Sequence, residues 1–281
     1  MNTAAQPFQY PRVLSIAGSD SGGGAGIQAD LKTIAALGCY GMTAITALTA
    51  QNTLGVRSIH AVPLQMLADQ IDAVVEDIGV DAVKIGMLHS ADTVRAVAQA
   101  LERHALQCIV LDPVMIATSG AVLIDHEAIA VLVRELFPKA DVITPNLDEA
   151  SLLVGRTLAS EADIEAAAQQ LLEMGARAVL VKGGHLPGDT VSDLLLTCDG
   201  KAHWMLAPRI PSPNTHGTGC TLSSAIAAHL ALGSTLTQAV EQARQYVRGA
   251  LEAGAQVRTG GGSGPLNHSH APHAMRLTPR A

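Results

Sequence analysis

Aromatic residues are scarce in this sequence: Phe, Trp and Tyr make up only 2% of 281 residues. The core must therefore be built from aliphatic side chains, and platforms for stacking the bases of a single strand are not expected. Charged residues are also few, at 15%, and the formal net charge is −7. An acidic chain argues against non-specific nucleic-acid binding, so any phosphate site must be local and formed by helix ends.

Cysteine is limited to four widely separated residues, Cys39, Cys108, Cys198 and Cys220, and no CxxC pair is present. This spacing fits a reducing compartment and excludes a recognisable zinc ribbon. The apolar run that follows Arg12 is too short for a signal peptide. No stretch reaches the roughly 18 apolar residues that span a bilayer. We therefore expect a soluble cytoplasmic protein with no membrane or nucleic-acid partner.

Two nucleotide-binding motifs are missing. No GxxxxGK[ST] occurs, which excludes a P-loop enzyme. Gly24-x-Gly26-x-x-Ala29 loosely matches the dinucleotide fingerprint, but that motif needs an acid about 20 residues later to hold the ribose. No Asp or Glu lies between Asp30 and Asp69. We therefore reject a nicotinamide or flavin site and expect the glycines to open space for a small ligand, with Asp20 or Asp30 as its polar anchor. For Asp30 the alternative is an acid favoured by the helix dipole.

Short apolar runs alternate with helical patterns along the chain. The runs typical of buried strands are Val13–Gly18, Ala44–Ala50, Ala82–Met87, Cys108–Val114, Val142–Asn146 and Ala178–Gly184. Helical patterns cover about 64–78, 91–104, 126–137, 161–174 and 236–253. Two more are present: one ends near Leu37, and the other begins after Gly217. This alternation predicts an α/β fold with a mostly parallel sheet covered by helices on both faces.

The rest of the chain completes this organisation. Asp199-Gly200, between Val191–Thr197 and Lys201–Leu206, predicts an antiparallel hairpin at one edge of the sheet. The absence of a linker predicts one domain over 1–257, with a loose N-terminal tail at 1–11. Residues 258–281 are rich in Gly and His and are expected to form a flexible, solvated tail. The alternative is metal binding by His268, His270 and His273.

Polar residues follow the predicted strands at their carboxyl ends, where ligands bind in parallel sheets. They are Gln51, Asp112, Asn146, Glu149 and Lys182. Two carboxylates with an Asn and a Lys suggest Mg²⁺ and a nucleoside triphosphate. Gln51 could hold a nitrogen heterocycle through its amide. Each has an ordinary alternative: Gln51 as a loop amide, Glu149 as a first-turn helix acid, Lys182 as a surface charge.

The stretch from Asn214 to Leu230 passes from glycines and threonines directly into a helical run. The amides of Gly217, Thr218 and Gly219 at this helix start are predicted to bind an anion such as phosphate. Cys220 falls in the first turn, where a thiol has a lowered pKa and can act as a base or a nucleophile. The alternative is a tight turn followed by a buried cysteine. With Lys182 and Mg²⁺ offsetting phosphate charge and Cys220 accepting a hydroxyl proton, the pattern predicts a kinase acting on an alcohol.

Seven motifs in order carry a resemblance. They are Ala17–Asp30 (AGSDSGGGAGIQAD), Thr49–Thr53 (TAQNT), Lys84–Met87 (KIGM), Asp112–Met115 (DPVM), Thr144–Ala150 (TPNLDEA), Val181–His185 (VKGGH) and His216–Cys220 (HGTGC). Together they resemble the hydroxymethylpyrimidine/phosphomethylpyrimidine kinases of thiamine biosynthesis, in the ribokinase-like superfamily, over about residues 12–257. The resemblance implies a three-layer αβα fold and a homodimer. It also implies ATP-dependent phosphorylation of 4-amino-5-hydroxymethyl-2-methylpyrimidine (HMP), then of HMP phosphate to the diphosphate.

The resemblance also implies roles for particular residues. The pyrimidine pocket would be lined by Gly18, Asp30, Gln51, Met87 and Val114. The metal would be served by Asp112 and Glu149, and the nucleotide by Asn146, Lys182 and Thr215. Cys220 would stand where the sugar kinases of the superfamily carry Asp.

The sequence departs from the family pattern at two positions, and two other functions remain alternatives. Asp148 stands where the family usually has Pro, and Thr118 stands where Lys is common in a loop expected to close over the substrate. Pyridoxal kinases resemble this chain at Gly-Thr-Gly-Cys, but that branch pairs this Cys with a second one after the Asp-Pro strand, and residues 113–122 contain none. A non-catalytic pyrimidine sensor is the other rival, against which the retained Cys220, Lys182 and Asp112 argue.

Overall fold

A nine-stranded mixed sheet organises the chain in the computed structural model, which describes residues 7–116, 124, 126–186 and 188–279. The strands are β1 Phe8–Gln9, β2 Arg12–Asp20, β3 Tyr40–Asn52, β4 Gly55–Ala61, β5 Ala82–Ile85, β6 Ile109–Leu111, β7 Val142–Ile143, β8 Ala178–Val181, β9 Thr190–Thr197, β10 Ala202–Pro208 and β11 Thr278–Pro279. The helices are α1 Gly26–Ala36, α2 Leu64–Asp77, α3 Ala91–Arg103, α4 His126–Leu136, α5 Leu147–Val154, α6 Glu161–Glu173, α7 Thr218–Ala231 and α8 Leu236–Gly254.

The strand order of the large sheet is β10-β9-β8-β7-β6-β5-β2-β3-β4. Pairing is parallel from β8 through β7, β6, β5 and β2 to β3, and antiparallel at both flanks. The predicted αβα architecture and the predicted β9–β10 hairpin are confirmed. The β3–β4 hairpin was not predicted, because Gly55–Ala61 is a largely exposed edge strand without a buried apolar run.

Two apolar cores cover the two faces of the sheet. Alternation along β6 shows the division: Ile109 and Leu111 pack into one core with α2, α3, α4 and α6, whereas Val110 faces the other with α1, α7 and α8. Because the central parallel strands are covered on both faces, their sequences are mainly apolar, and β6, β7 and β8 are wholly so. The helices on both faces hold the strands in register, so the carboxyl ends of β2, β3, β6, β7 and β8 lie along one edge.

The C-terminal segment packs against this domain. Leu266 and His268 are each only 4% exposed, and His268 Nε2 lies 3.0 Å from the hydroxyl of Thr221 in α7. The amide of His216 donates to the carbonyl of Gly264 over 3.1 Å. The prediction of a solvated tail is therefore wrong for this stretch: Leu266 supplies the buried apolar side chain that anchors it, a signal outweighed by the surrounding Gly and His.

Both chain ends also depart from the sequence-based expectation. The pairing of β1 with β11 places Phe8 and Gln9 in a small second sheet, so the predicted loose tail at 1–11 is wrong for these residues. Within the described residues, no group of three or more His, Cys, Asp and Glu side chains could hold a metal ion. His268, His270 and His273 are among the residues to which this applies. None of the helices in the same residues is long and apolar enough to cross a membrane.

Truncation tests the packed C-terminal segment. A chain ending at Val257 loses the buried Leu266 and His268 side chains, and burial of Leu266 alone corresponds to about 2 kcal/mol. We expect its free energy of unfolding, from urea titration, to fall by at least about that amount. The matched control ends at Ala271 and keeps both side chains. Equal midpoints and slopes for the two truncated chains would contradict the packing described here.

Candidate active site

A cavity of about 610 Å³ opens at the carboxyl edge of the sheet. Of the residues expected at the site, it brings together Gly18, Gln51, Met87, Asp112, Val114, Asn146, Glu149, Lys182, Thr215, Gly217, Thr218, Gly219 and Cys220. These residues come from the ends of six strands, β2, β3, β5, β6, β7 and β8, and from the start of α7, as the strand-end rule predicts. Thr118 lies outside the described residues.

The start of α7 forms one wall of the cavity. Gly217 caps the helix with φ +86°, and a Cβ there would collide with the carbonyl oxygen of Gly24. Only glycine meets both conditions without strain. A Cβ on Gly219 would lie 3.2 Å from Nζ of Lys182 and 3.5 Å from Oδ2 of Asp112. The glycines thus allow the first turn of α7, with its positive dipole end, to lie directly against the charged side chains.

Cys220 is half-buried and lines the cavity. Its pKa, however, differs from the expectation. Burial raises the pKa of the Cys220 thiol to about 11, and the carboxylates of Asp30 and Asp112 act in the same direction. Lys84 and a hydrogen bond from the Gly26 N–H act in the opposite direction but do not overcome burial. The predicted lowering of this pKa is therefore wrong: a helix start is one influence among several, and burial outweighs it.

Lys182 links the two carboxylates expected at the metal site. Its Nζ donates to Oδ1 of Asp112 over 2.9 Å and lies 3.9 Å from Oε2 of Glu149. Burial opposes ionisation of Asp112, but the positive charges of Lys182 and Lys84 hold the pKa of Asp112 below its usual value. Burial dominates at Glu149 and raises its pKa to about 7. The two acids therefore have different proton affinities, although both lie beside one ammonium group.

Asn146 and Glu149 also hold the start of α5. The Asn146 side chain accepts from the Glu149 N–H over 2.9 Å, and the Glu149 carboxylate accepts from the Asn146 N–H over 2.8 Å. This reciprocal capping box shows that the ordinary alternative for Glu149, a first-turn helix acid, is true as well. The cap fixes the side chains of both residues at the cavity wall.

Asp30 is the one residue expected in the pyrimidine pocket that does not line the cavity. Its side chain is fully buried and accepts hydrogen bonds from Ser15 and Ser224, each over 2.6 Å. Lys84 donates to both of its carboxylate oxygens, over 2.9 and 2.8 Å. The assignment of Asp30 to the pocket is corrected accordingly: this carboxylate is saturated by protein donors beneath the cavity.

The sequence profile of the family described as phosphomethylpyrimidine kinase matches residues 20–267. The chain belongs to this family. A hydroxymethylpyrimidine/phosphomethylpyrimidine kinase from Rhizobium meliloti is 51% identical over 92% of this chain and 96% of its own. A thiamine biosynthesis bifunctional protein from Geobacter sulfurreducens is 52% identical over 96% of this chain, which spans 54% of that longer relative.

Solved structures of two kinds resemble the fold. A phosphomethylpyrimidine kinase from Clostridium difficile is 42% identical, with a TM-score of 0.74, and covers 84% of this chain and 97% of its own. A pyridoxal kinase from Bacillus subtilis, solved as an ADP complex, is 35% identical with a TM-score of 0.85 over 93% of this chain and 98% of its own. The phosphomethylpyrimidine kinase family and the pyridoxal kinases thus share this architecture.

Asp20 and His216 lie in the family motifs, and the structure brings them together. Sequence patterns left Asp20 and Asp30 as alternative polar anchors, and only Asp20 lines the cavity. His216 Nε2 lies 2.9 Å from Oδ2 of Asp20 and 3.3 Å from Nε2 of Gln51. The same Asp20 oxygen also accepts from the N–H of Ala25 over 2.8 Å. No role was predicted for His216, because its contacts join residues 196 positions apart in sequence.

A second arm of the cavity was not predicted from sequence. Its apolar lining consists of Val191, Ile210, Leu222, Val247 and Leu251. Arginines from three positions, Arg209, Arg244 and Arg248, lie around it. Arg244 is fixed by Asp193, over 2.7 Å, and by the carbonyl of Met205, over 2.8 Å. These residues are dispersed over the last third of the chain, and no local pattern marks them as one surface.

The close approach at Gly217 can be tested with a matched pair of substitutions. Gly217→Ala adds a Cβ where the Gly24 carbonyl leaves no space, whereas Gly233, beyond the other end of α7, has φ +88° and nothing within 4 Å. Gly233→Ala therefore reports the backbone strain alone, about 1 kcal/mol. We expect Gly217→Ala to lower kcat for ATP-dependent phosphorylation about 10²-fold, and Gly233→Ala to leave kcat unchanged. Similar kcat values for both variants would show that the position of the loop does not matter.

Proposed function

We propose that the chain transfers the γ-phosphoryl group of ATP to the hydroxymethyl oxygen of HMP, and then adds a second phosphoryl group to HMP phosphate. The observation that carries this proposal is the meeting of Cys220, the amides at the start of α7 and the Lys182–Asp112–Glu149 cluster in one cavity. The motifs that resemble those of the HMP kinases supply most of the remaining residues that line the cavity.

The pyrimidine is proposed to bind between Gln51 and the apolar pair Met87 and Val114. Met87 Cε would lie 2.7 Å from a Cβ on Gly18, so the absence of a side chain there gives Met87 its place. An amide beside an apolar wall suits a flat ring that carries nitrogen atoms at its edge. This end of the cavity contains Asp20 and His216 rather than Asp30 as its charged or titratable neighbours.

The adenine of ATP is proposed to bind in the second arm. Its aliphatic lining can cover the faces of a base, and Arg209, Arg244 and Arg248 lie where phosphate or ribose oxygens could be recognised. The phosphates would then extend toward Lys182, Asn146 and Thr215. The amides of Gly217, Thr218 and Gly219 would face the transferred group, since helix starts favour anions.

Magnesium fits the donor set at the carboxylate cluster. Asp112 and Glu149 supply the carboxylate oxygens that Mg²⁺ prefers, and both lie beside Lys182, a cation that shows the site tolerates positive charge. We propose that these two acids would hold the ion. When bound, Mg²⁺ would offset the negative charge of the phosphates.

The two proposed reactions differ in their need for a proton acceptor. In the first, the hydroxymethyl oxygen forms a bond to the γ-phosphorus, the bond from that phosphorus to the bridging oxygen of ADP breaks, and the hydroxyl proton passes to Cys220. In the second, the acceptor is a phosphate oxygen that is already largely ionised at neutral pH. Only the first reaction therefore requires the thiolate form of Cys220.

Replacing Cys220 separates the two reactions. Cys220→Ala should lower kcat for HMP about 10²-fold or more, the usual scale for losing a proton acceptor, and should lower kcat for HMP phosphate far less.

In the native chain, kcat for HMP should rise with pH above 7, by up to about tenfold per unit, because a thiol with a pKa of about 11 is mostly protonated there. The exposed Cys198 provides the control, Cys198→Ala. Equal losses in both reactions, or a flat pH profile for HMP, would remove Cys220 from proton transfer.

Gln51 tests the placement of the pyrimidine. Gln51→Ala should weaken HMP binding more than ATP binding, because Gln51 ends β3, whereas the proposed adenine site includes Val191 of β9, on the other side of the central parallel strands. Titration calorimetry with HMP and with a non-hydrolysable ATP analogue measures both affinities. Equal loss of both would mean that the pyrimidine arm is misassigned.

Pyridoxal phosphorylation is the second candidate function, favoured by the fold shared with the Bacillus subtilis pyridoxal kinase. Against it, residues 113–122 contain no second cysteine. ADP formation measured with HMP, HMP phosphate and pyridoxal separates the candidates. We expect turnover with both pyrimidines to exceed that with pyridoxal. ADP formation with pyridoxal but with neither pyrimidine would overturn the proposal. Pyrimidine binding without ADP formation would indicate a sensor.

We also propose that the protein is a cytoplasmic homodimer. The separate free cysteines support a reducing compartment. Exposed apolar side chains support self-association: Leu48 and Leu54 on the β3–β4 hairpin, with Leu64 and Met66 at the start of α2, are 47%, 71%, 43% and 53% exposed. Sedimentation would give the mass of a dimer, and a monomer at micromolar concentration would contradict this part.

A further inference from the structure

An ion pair that the proposed chemistry does not use reaches the cavity through Lys84. Lys84 in β5 and Asp30 in α1 both have fully buried side chains, with Nζ 2.8 Å from Oδ2. Burial favours the neutral amine, but Asp30 outweighs burial and raises the pKa of Lys84, so the lysine stays charged. A buried ion pair contributes little net stability compared with apolar side chains of similar size. Its presence here calls for a role other than stability.

The geometry connects this pair to Cys220. Lys84 lines the cavity together with Cys220, and α7 packs against both α1 and β5. One turn after Cys220, Ser224 donates a hydrogen bond to Asp30 over 2.6 Å. Residues four apart lie on one helix face, so Cys220 and Ser224 share one face of α7. The Ser224–Asp30 contact therefore joins this face of α7 to the carboxylate that Lys84 neutralises.

We propose that the Lys84–Asp30 pair is a positioning unit for Cys220: it fixes the turn of α7 that carries the sulfur and places one charge of each sign beneath that turn. Lys84 favours the thiolate and Asp30 opposes it. The inference rests on the proposed function for the use of the thiolate, although not for its acidity.

Four charged groups act electrostatically on the Cys220 thiol. Lys84 in β5 and Lys182 after β8 are positive, while Asp30 in α1 and Asp112 after β6 are negative. Lys182 and Asp112 are paired with each other over 2.9 Å. Changing one charge of the Lys84–Asp30 pair therefore leaves a net charge of known sign near Cys220. If the role of the pair were merely structural, removing either partner would change the reactivity of Cys220 in the same direction.

The test measures alkylation of Cys220 by iodoacetamide at pH 8, followed by mass spectrometry of the peptide that contains it. Asp30→Asn should make Cys220 react faster, and Lys84→Met should make it react more slowly. Each unit of pKa shift changes the rate about threefold, since a more acidic thiolate is also less nucleophilic. Changes of about threefold or more in opposite directions support the proposal. Changes in the same direction, or none, overturn it.

A third variant keeps the test decisive if Lys84→Met leaves Asp30 unpaired and the chain does not fold. The double variant Lys84→Met/Asp30→Asn differs from Asp30→Asn only at residue 84. The single variant should react faster than the double variant by about threefold or more, and equal rates would overturn the role of Lys84. Because alkylation needs no substrate, failure of this inference is distinct from failure of the kinase proposal, which would appear as absence of ADP formation from HMP by the native chain.

Discussion

The contact between the Gly217 turn and the Gly24 carbonyl is the constraint on which the site depends. It brings the starts of α1 and α7 to one point at the carboxyl edge of the sheet. Two helix starts then face the same region, and the positive end of each helix dipole lies toward it. A positive field made from backbone alone explains how an acidic chain can offer an anion site. The small residues in both loops are needed because a side chain would separate the helices.

Charge in the cavity is balanced in pairs rather than accumulated. Lys182 neutralises Asp112 at the cavity wall, and Lys84 neutralises Asp30 beneath it. Between these pairs lies Cys220, whose acidity depends on small differences among neighbours of opposite sign. Burial raises the pKa of Glu149 to about 7, although its carboxylate lies 3.9 Å from the ammonium group of Lys182. The arrangement suits a reaction in which highly charged ligands arrive and leave.

The architecture and most of the site could be predicted because their signals are local. Apolar runs ending in polar residues gave the strands, and the strand-end rule placed Asp112, Asn146 and Lys182 at one cavity. Gly217 was recognisable as a helix start, although its contact with Gly24 was not. The motif resemblance supplied the family, which the profile match confirms.

Other features depend on distances across the chain and could not be predicted. The pKa of Cys220 is raised by burial and by Asp30 and Asp112, which lie 190 and 108 positions earlier, so a rule based on the helix start alone predicted the wrong direction. Asp30 was placed in the pocket because its motif neighbours line it, but its carboxylate turns toward Lys84. The C-terminal segment reads as solvated by composition, and only the structure shows Leu266 and His268 buried.

The most direct test of the central claim is a structure of the chain with HMP and a non-hydrolysable ATP analogue. The account predicts that the hydroxymethyl oxygen lies within about 4 Å of the Cys220 sulfur. It also predicts the terminal phosphate against the amides of Gly217, Thr218 and Gly219. A hydroxymethyl group directed away from that sulfur, or a terminal phosphate bound elsewhere, would contradict it.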